Sequence, residues 1–254
     1  MRTNPDWLVL EPYVDTELGP LKTGKEAQVD VVERIGADGD TCLLARKRYL
    51  PRTVTAKGTL EALGVQRAST FHNDVEYREG RQFRKSRDRR AVEAMTTYGK
   101  RLLQDRWTGH EYDVMVRLWS AGVSVPYPVS YADDLFFLEY IGARDGAAPQ
   151  LARARLDRAQ LEDAWDQLVE AMHGMTVEGI VHADLSAFNL LWWDGRLVVI
   201  DLPQAVDLAA NPQGLDYLHR DVLNVSRWFA RRGVHRDAEE LFADLLASVT
   251  WQRR

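Results

Sequence analysis

The chain has one cysteine, Cys42, in 254 residues, which excludes an internal disulfide framework. Flanked by Thr41, Leu43 and Leu44, it reads as a buried strand residue. No run of about 18 apolar residues is present, so no segment qualifies as a membrane-spanning helix. The opening residues Met1–Asp6 lack the apolar core of a signal peptide, and the expectation is a cytoplasmic chain with no membrane partner. No internal repeat or low-complexity tract appears. A net charge of −5 gives no argument for bulk nucleic-acid affinity.

What is present reads as a globular protein, 45% hydrophobic and 28% charged, long enough for one large domain or two small lobes. Charge is uneven. Between Arg78 and Arg106 stand ten Lys or Arg against four Asp or Glu, a candidate surface for RNA or a ribosomal particle, although such runs are more often solvated helix faces or loops.

The first half reads as strand-rich with helical insertions. Residues 26–35 alternate and are β-branched, residues 36–39 make a turn, and Thr41–Tyr49 return as a second strand. From Ala91 to Ala121 the apolar spacing is helical, with an interruption expected at Gly109 and an end at Gly122. Leu135–Leu138 is a short buried strand, and Gly142–Pro149 breaks regular structure. The second half is helical. Asp157 and Gln160 form a capping box ahead of an apolar face at Leu161, Ala164, Trp165, Leu168, Val169 and Met172. Leu215, Leu218, Val222, Val225 and Phe229 repeat the pattern, and Leu241, Leu245 and Val249 give a last helix. The reading is therefore an α+β chain: an N-lobe over 1–138, a hinge and linker over 139–149, and a helical C-lobe over 150–254.

The junction of these lobes carries the chemistry. His182-Ala183-Asp184-Leu185-Ser186-Ala187-Phe188-Asn189 is followed by Asp201. Between Asn189 and Asp201, apolar runs flank Asp194-Gly195, a hairpin signal because the turn needs positive φ. The hairpin folds Asp201 back beside Asn189. An isolated Asp-x4-Asn is usually a turn or cap; His182, the hairpin and Asp201 together shift the balance towards a site. A carboxylate within hydrogen-bond reach of an attacking hydroxyl can orient it and take its proton, the role assigned to Asp184. An amide oxygen and a second carboxylate suit a hard divalent cation, the role assigned to Asn189 and Asp201. His182 is read as a scaffold residue.

On the nucleotide side, Thr23-Gly24-Lys25-Glu26-Ala27 precedes a strand, and glycine there lets the backbone approach phosphates while Lys25 adds charge. It is neither a Walker A sequence nor Gly-x-Gly-x-x-Gly. On the return strand, alternation puts Ala45, Lys47 and Tyr49 on one face and Arg46 and Arg48 on the other. Lys47 is a candidate phosphate ligand with Glu111 as its partner; the competing reading makes Lys47 a solvated cation.

Six motifs occur in order: Thr23–Ala27, Ala45–Tyr49, Glu139–Gly142 with Asp145–Pro149, His182–Asn189, Ile200-Asp201, and Arg220–Val225. Together they resemble the RIO family of atypical protein kinases, in the branch whose phosphate loop reads Ser/Thr-x-Gly-Lys-Glu-Ala. The resemblance implies a bilobal protein-kinase-like fold without activation loop or peptide-docking subdomain. It implies ATP and Mg²⁺, with Mn²⁺ as a substitute. Lys25, Glu26, Lys47 and Asn189 would bind nucleotide, with adenine on the backbone near Glu139 and Ile141. Glu111 would orient Lys47, Asp184 would be catalytic, and Asp201 would hold metal and serve as a phosphate acceptor. The expected activity is a serine/threonine protein kinase or ATPase acting on a protein serine or on Asp201. Residues 71–90 match a family-specific flexible loop, and the family's role in small-ribosomal-subunit maturation points to a ribosomal partner. The alternatives are an aminoglycoside-type small-molecule phosphotransferase and a nucleotide-gated RNA or ribosome assembly factor.

Overall fold

The computed structural model describes residues 4–23, 27–49, 97–132 and 135–251. The phosphate-loop residues Gly24, Lys25 and Glu26, the segment 71–90 and residues 78–96 of the basic stretch lie outside them.

Five strands form one antiparallel sheet in the order β1-β2-β3-β5-β4: β1 Tyr13–Thr23, β2 Ala27–Gly36, β3 Thr41–Tyr49, β4 Pro128–Ala132 and β5 Leu135–Glu139. Strand alternation gives each face a separate cover. One face carries Val32, Cys42 and Leu44 under Leu8 and Val9 of the N-terminal segment. The other carries Ala45, Tyr49, Phe136 and Leu138, packed with Val114, Met115 and Leu118 of helix α1, Thr97–Ser120. Lys47 pairs with Phe136 in the β3–β5 register and so lies on this second face, 7% exposed. Burial excludes the solvated-cation reading of Lys47.

α1 runs through Gly109 without the expected interruption. A glycine inside a helix costs about 1 kcal/mol, and the bonds of the next two residues, His110 to the Ala205 carbonyl and Glu111 to Lys47, hold the helix through it. The helix ends where the sequence signals it. Gly122 has φ 90°, its N–H bonds the Trp119 carbonyl, and the Val123 N–H bonds the Leu118 carbonyl, closing a Schellman motif.

Gly142–Pro149 is more ordered than expected, since β6 (Gly142–Ala143) and β7 (Gly146–Ala147) pair as a minimal hairpin. Helix α2 (Arg158–Val177) begins at the expected box: the Gln160 N–H donates to Asp157 Oδ1 at 2.9 Å and the Asp157 N–H to Gln160 Oε1 at 3.1 Å. Short pairs follow, β8 (Ile180–Val181) with β11 (Val206–Asp207) and β9 (Leu190–Trp193) with β10 (Arg196–Val199). Helices α3 (Gly214–Ala230) and α4 (Ala238–Trp251) complete the described chain.

Tyr217, Leu218, Val222, Val225 and Phe229 of α3 are buried, but Leu215 is 51% exposed, contrary to its expected place on the apolar face. Gly214, Tyr217, Leu218 and Asp221 take the buried side at this end of the helix, which leaves Leu215 at the edge of the stripe and towards solvent. Trp192 enters the large helical core, whereas Trp193 packs on Ile141, Ala148 and Val198.

Candidate active site

The acidic loop is closed by the β9–β10 hairpin. β9 and β10 pair Leu190 with Val199, and both turn residues, Asp194 (φ 50°) and Gly195 (φ 72°), adopt the positive φ of a two-residue hairpin. The hairpin returns the chain to its start, where the Ile200 N–H donates to the Asn189 carbonyl at 3.0 Å. Asn189 Nδ2 donates to the Asp184 carbonyl at 2.8 Å and lies 3.4 Å from Asp184 Oδ2. With its amide nitrogen so occupied, Asn189 keeps Oδ1 for another partner. Asp184 itself is exposed while its neighbours Ala183 and Leu185 are buried.

His182, 1% exposed, spans the same loop. Its Nε2 lies 3.1 Å from the Ile200 carbonyl and its Nδ1 accepts from the Asp184 N–H at 3.3 Å. Only the tautomer with hydrogen on Nε2 satisfies both bonds.

Backbone strain is concentrated here. Ala183 has φ 63° and Asp201 φ 67°, a conformation that costs a non-glycine residue on the order of 1 kcal/mol or more. Both peptide groups of Ala183 are pinned. Its N–H donates to Asp221 Oδ2 at 2.8 Å, and its carbonyl accepts from Arg220. Asp221 Oδ1 also accepts the Leu185 N–H at 3.0 Å, so one buried carboxylate on α3 fixes the backbone on both sides of Asp184. Burial pushes the Asp221 carboxyl above its ordinary range, against the lowering effect of His182, these two N–H bonds and Arg220. The Arg220–Val225 motif contains Asp221 without marking it as a site residue. Its signal was an acid inside the apolar stripe of α3.

The sheet side is a charge network. Lys47 Nζ donates to Glu111 Oε1 at 2.7 Å and to Asp201 Oδ1 at 3.0 Å. Glu111, fully buried on α1, also accepts the Tyr49 hydroxyl at Oε2 (2.5 Å) and the Leu202 N–H at Oε1 (3.1 Å). His110, one residue earlier, meets the Ala205 carbonyl at 3.0 Å, so adjacent helical residues grip the stretch after Asp201. Burial alone would lower the Lys47 pKa, but the carboxylates of Glu111 and Asp201 raise it, holding the ammonium charged. Burial likewise opposes ionisation of Asp201, and Lys47, with smaller help from Lys22 and His182, overcomes it and holds the carboxyl below its usual range. Alternation along β3 places Tyr49 on the Lys47 face without marking it as a site residue.

Glu139 presents no free carboxylate to a ligand. Its Oε2 accepts the Tyr127 N–H at 3.0 Å and its Oε1 accepts Arg196 at 2.8 Å. The Ile141 carbonyl accepts the Ala148 N–H at 2.9 Å. Lys25 and Glu26 cannot be placed relative to this network, since they fall outside the described residues.

A small antiparallel sheet with one helix, a helical second part, and a lysine reaching from the sheet to an acidic loop define a bilobal protein-kinase-like fold. Only β11 and a short turn separate Asp201 from α3 at Gly214, leaving no room for an activation loop. The RIO domain model matches residues 62–241, and the chain belongs to the RIO family of atypical serine/threonine protein kinases. The RIO-type serine/threonine-protein kinase Rio1 of Haloferax volcanii is 32% identical over 235 residues, covering 92% of this chain and 70% of that protein. The Rio1 of Thermoplasma acidophilum is 36% identical over 135 residues, covering 53% of this chain and 69% of that one. Among solved structures, the Rio2 kinase of Chaetomium thermophilum in an ADP/Mg²⁺-phosphoaspartate complex superposes with a TM-score of 0.61 at 17% identity. That superposition covers 92% of this chain and 61% of the Rio2 chain, and shows the shared fold.

Proposed function

We propose that this chain is a serine/threonine protein kinase or ATPase that passes the γ-phosphate of ATP to a protein serine or to its own Asp201. The observation that carries this reading is Lys47 Nζ bridging buried Glu111 and Asp201 beside the exposed Asp184. The 1–138 lobe would cover the nucleotide, the 139–149 linker would offer the Ile141 N–H and Glu139 backbone to adenine, and the 150–254 lobe would supply the reacting carboxylates.

The donor set suits Mg²⁺. Asn189 Oδ1 and the Asp201 carboxylate are hard oxygen ligands, and a cation that retains waters and takes phosphate oxygens needs few protein ligands. When bound, Mg²⁺ neutralises charge on the phosphate oxygens. Mn²⁺ has the same preference for oxygen and would fill the same place.

The chain's residues do the positioning. Lys47, kept charged, meets phosphate oxygens. Asp184 accepts the serine proton as the serine Oγ bonds to phosphorus and the bond to ADP breaks, with ADP leaving on the electron pair. In transfer to Asp201 a carboxylate oxygen attacks the same phosphorus.

Incubation with γ-labelled ATP and Mg²⁺ tests this, with free phosphate, phosphoserine and acid-labile aspartyl phosphate measured separately. Asp184→Ala and Asp201→Ala are each expected to abolish transfer to protein while the far-ultraviolet circular dichroism stays native. Full transfer by both variants overturns the reading. Turnover of a small hydroxylated substrate, with none on protein, would point to the aminoglycoside-type alternative.

A further inference from the structure

Lys22 belongs to no role described so far. It stands near the end of β1, and its Nζ lies 3.8 Å from Asp201 Oδ2 with the side chain 59% exposed. Asp201 thus holds two lysines from the sheet, Lys47 on Oδ1 and Lys22 on Oδ2. Counted back from Gly24, Lys22 also occupies the first position of the Ser/Thr-x-Gly-Lys-Glu-Ala pattern, so a cation stands where that pattern has a hydroxyl. The register of β1 on β2 shifts between Pro20 and Lys22, which re-aims the strand end.

The two lysines are not equivalent. Lys47 is anchored by buried Glu111 as well as by Asp201. Lys22 has one longer contact and a solvated stem, and it sits on the oxygen a divalent cation would need. We propose that Lys22 is a built-in competitor for the metal-binding oxygen of Asp201, closing the end of β1 onto the acidic loop and yielding Oδ2 when Mg²⁺ arrives with nucleotide. This rests on the reading of Asp201 as a metal ligand.

The test is calorimetric titration of MgCl₂ into the full chain saturated with ADP, which reads binding and not turnover. An ion pair this exposed supports a modest effect: Lys22→Met is expected to tighten Mg²⁺ binding about two- to five-fold. Lys22→Arg, which keeps charge and reach, is expected to stay at the parent value. Arg48→Met removes the same charge from the other face of the sheet and is expected to change nothing, separating contact from general field. Unchanged or weaker Mg²⁺ binding in Lys22→Met overturns the competitor role alone, as does an equal gain in Arg48→Met. Absence of Mg²⁺ binding in every protein overturns the metal-site reading and this inference with it.

Discussion

The two halves of the site are held by different physics. On the sheet side, Lys47, Glu111, Tyr49 and the Leu202 N–H form a closed network of buried side chains in which every polar atom depends on a charged partner. On the loop side, Asp184 and Asn189 are placed by backbone bonds, by His182 and by Asp221, while the Asp184 carboxylate is left to solvent. The sheet side fixes charge and the loop side fixes shape. Asp201, bonded to Lys47 and strained at positive φ, belongs to both.

That contrast predicts unequal costs. Lys47→Met removes one partner of a buried pair and leaves Glu111 with only the Tyr49 hydroxyl and the Leu202 N–H. Breaking a buried pair from one side costs about 3–5 kcal/mol, so Lys47→Met should lower the urea midpoint strongly as well as abolish phosphoryl transfer. The double variant Lys47→Met with Glu111→Leu should recover much of the stability and none of the activity. If Lys47→Met alone unfolds at the parent midpoint, the network is not the closed unit described.

How much of this could be read from sequence follows the same division. Local rules reached the hairpin, because Asp194-Gly195 carries its own turn geometry, and the Asp157–Gln160 box, because both bonds lie within one turn. Alternation on β3 put Lys47 and Tyr49 on one face but could not say that α1 would bring Glu111 between them. β1 went unread because Gly19 and Pro20 interrupt its alternation and both register shifts fall around them. Asp221 was hidden for a tertiary reason: its partners are backbone groups some 36–38 residues away, and a backbone N–H leaves no mark in a sequence. Gly109 points the opposite way, since the tertiary bonds of His110 and Glu111 beside it outweigh its poor helix propensity.

The loop side is best probed through Asp221. Asp221→Asn keeps one acceptor oxygen and loses the other bond to the backbone around Asp184, a cost of about 1–3 kcal/mol offset by removing a buried charge. Because burial raises the folded-state pKa of Asp221, its contribution is fully present below the unfolded value of about 3.9 and is lost as pH rises through the folded value. The melting-temperature advantage of the parent over Asp221→Asn should therefore be largest below about pH 4 and shrink as pH rises above it. Asp201, whose pKa is depressed, runs the other way: its contribution is present above about 3.9 and disappears as pH falls through the folded value. Parallel pH profiles for Asp221→Asn and Asp201→Asn would contradict the division between buried anchor and paired ligand.

The smallest effect tests whether the sheet side is cooperative. Tyr49→Phe deletes one hydroxyl from Glu111 and leaves the Lys47 and Leu202 donors in place, so it should cost about 1.5 kcal/mol, the low end for a bond to a charged group. If the network acts as a unit, loosening Glu111 should free Lys47 to lean towards Asp201, and the KM for ATP should rise while kcat changes less than two-fold. A double-mutant cycle between Tyr49→Phe and Glu111→Gln isolates the coupling. A coupling near zero would mean that the hydroxyl only fills space, and that Lys47 and Leu202 alone hold the glutamate.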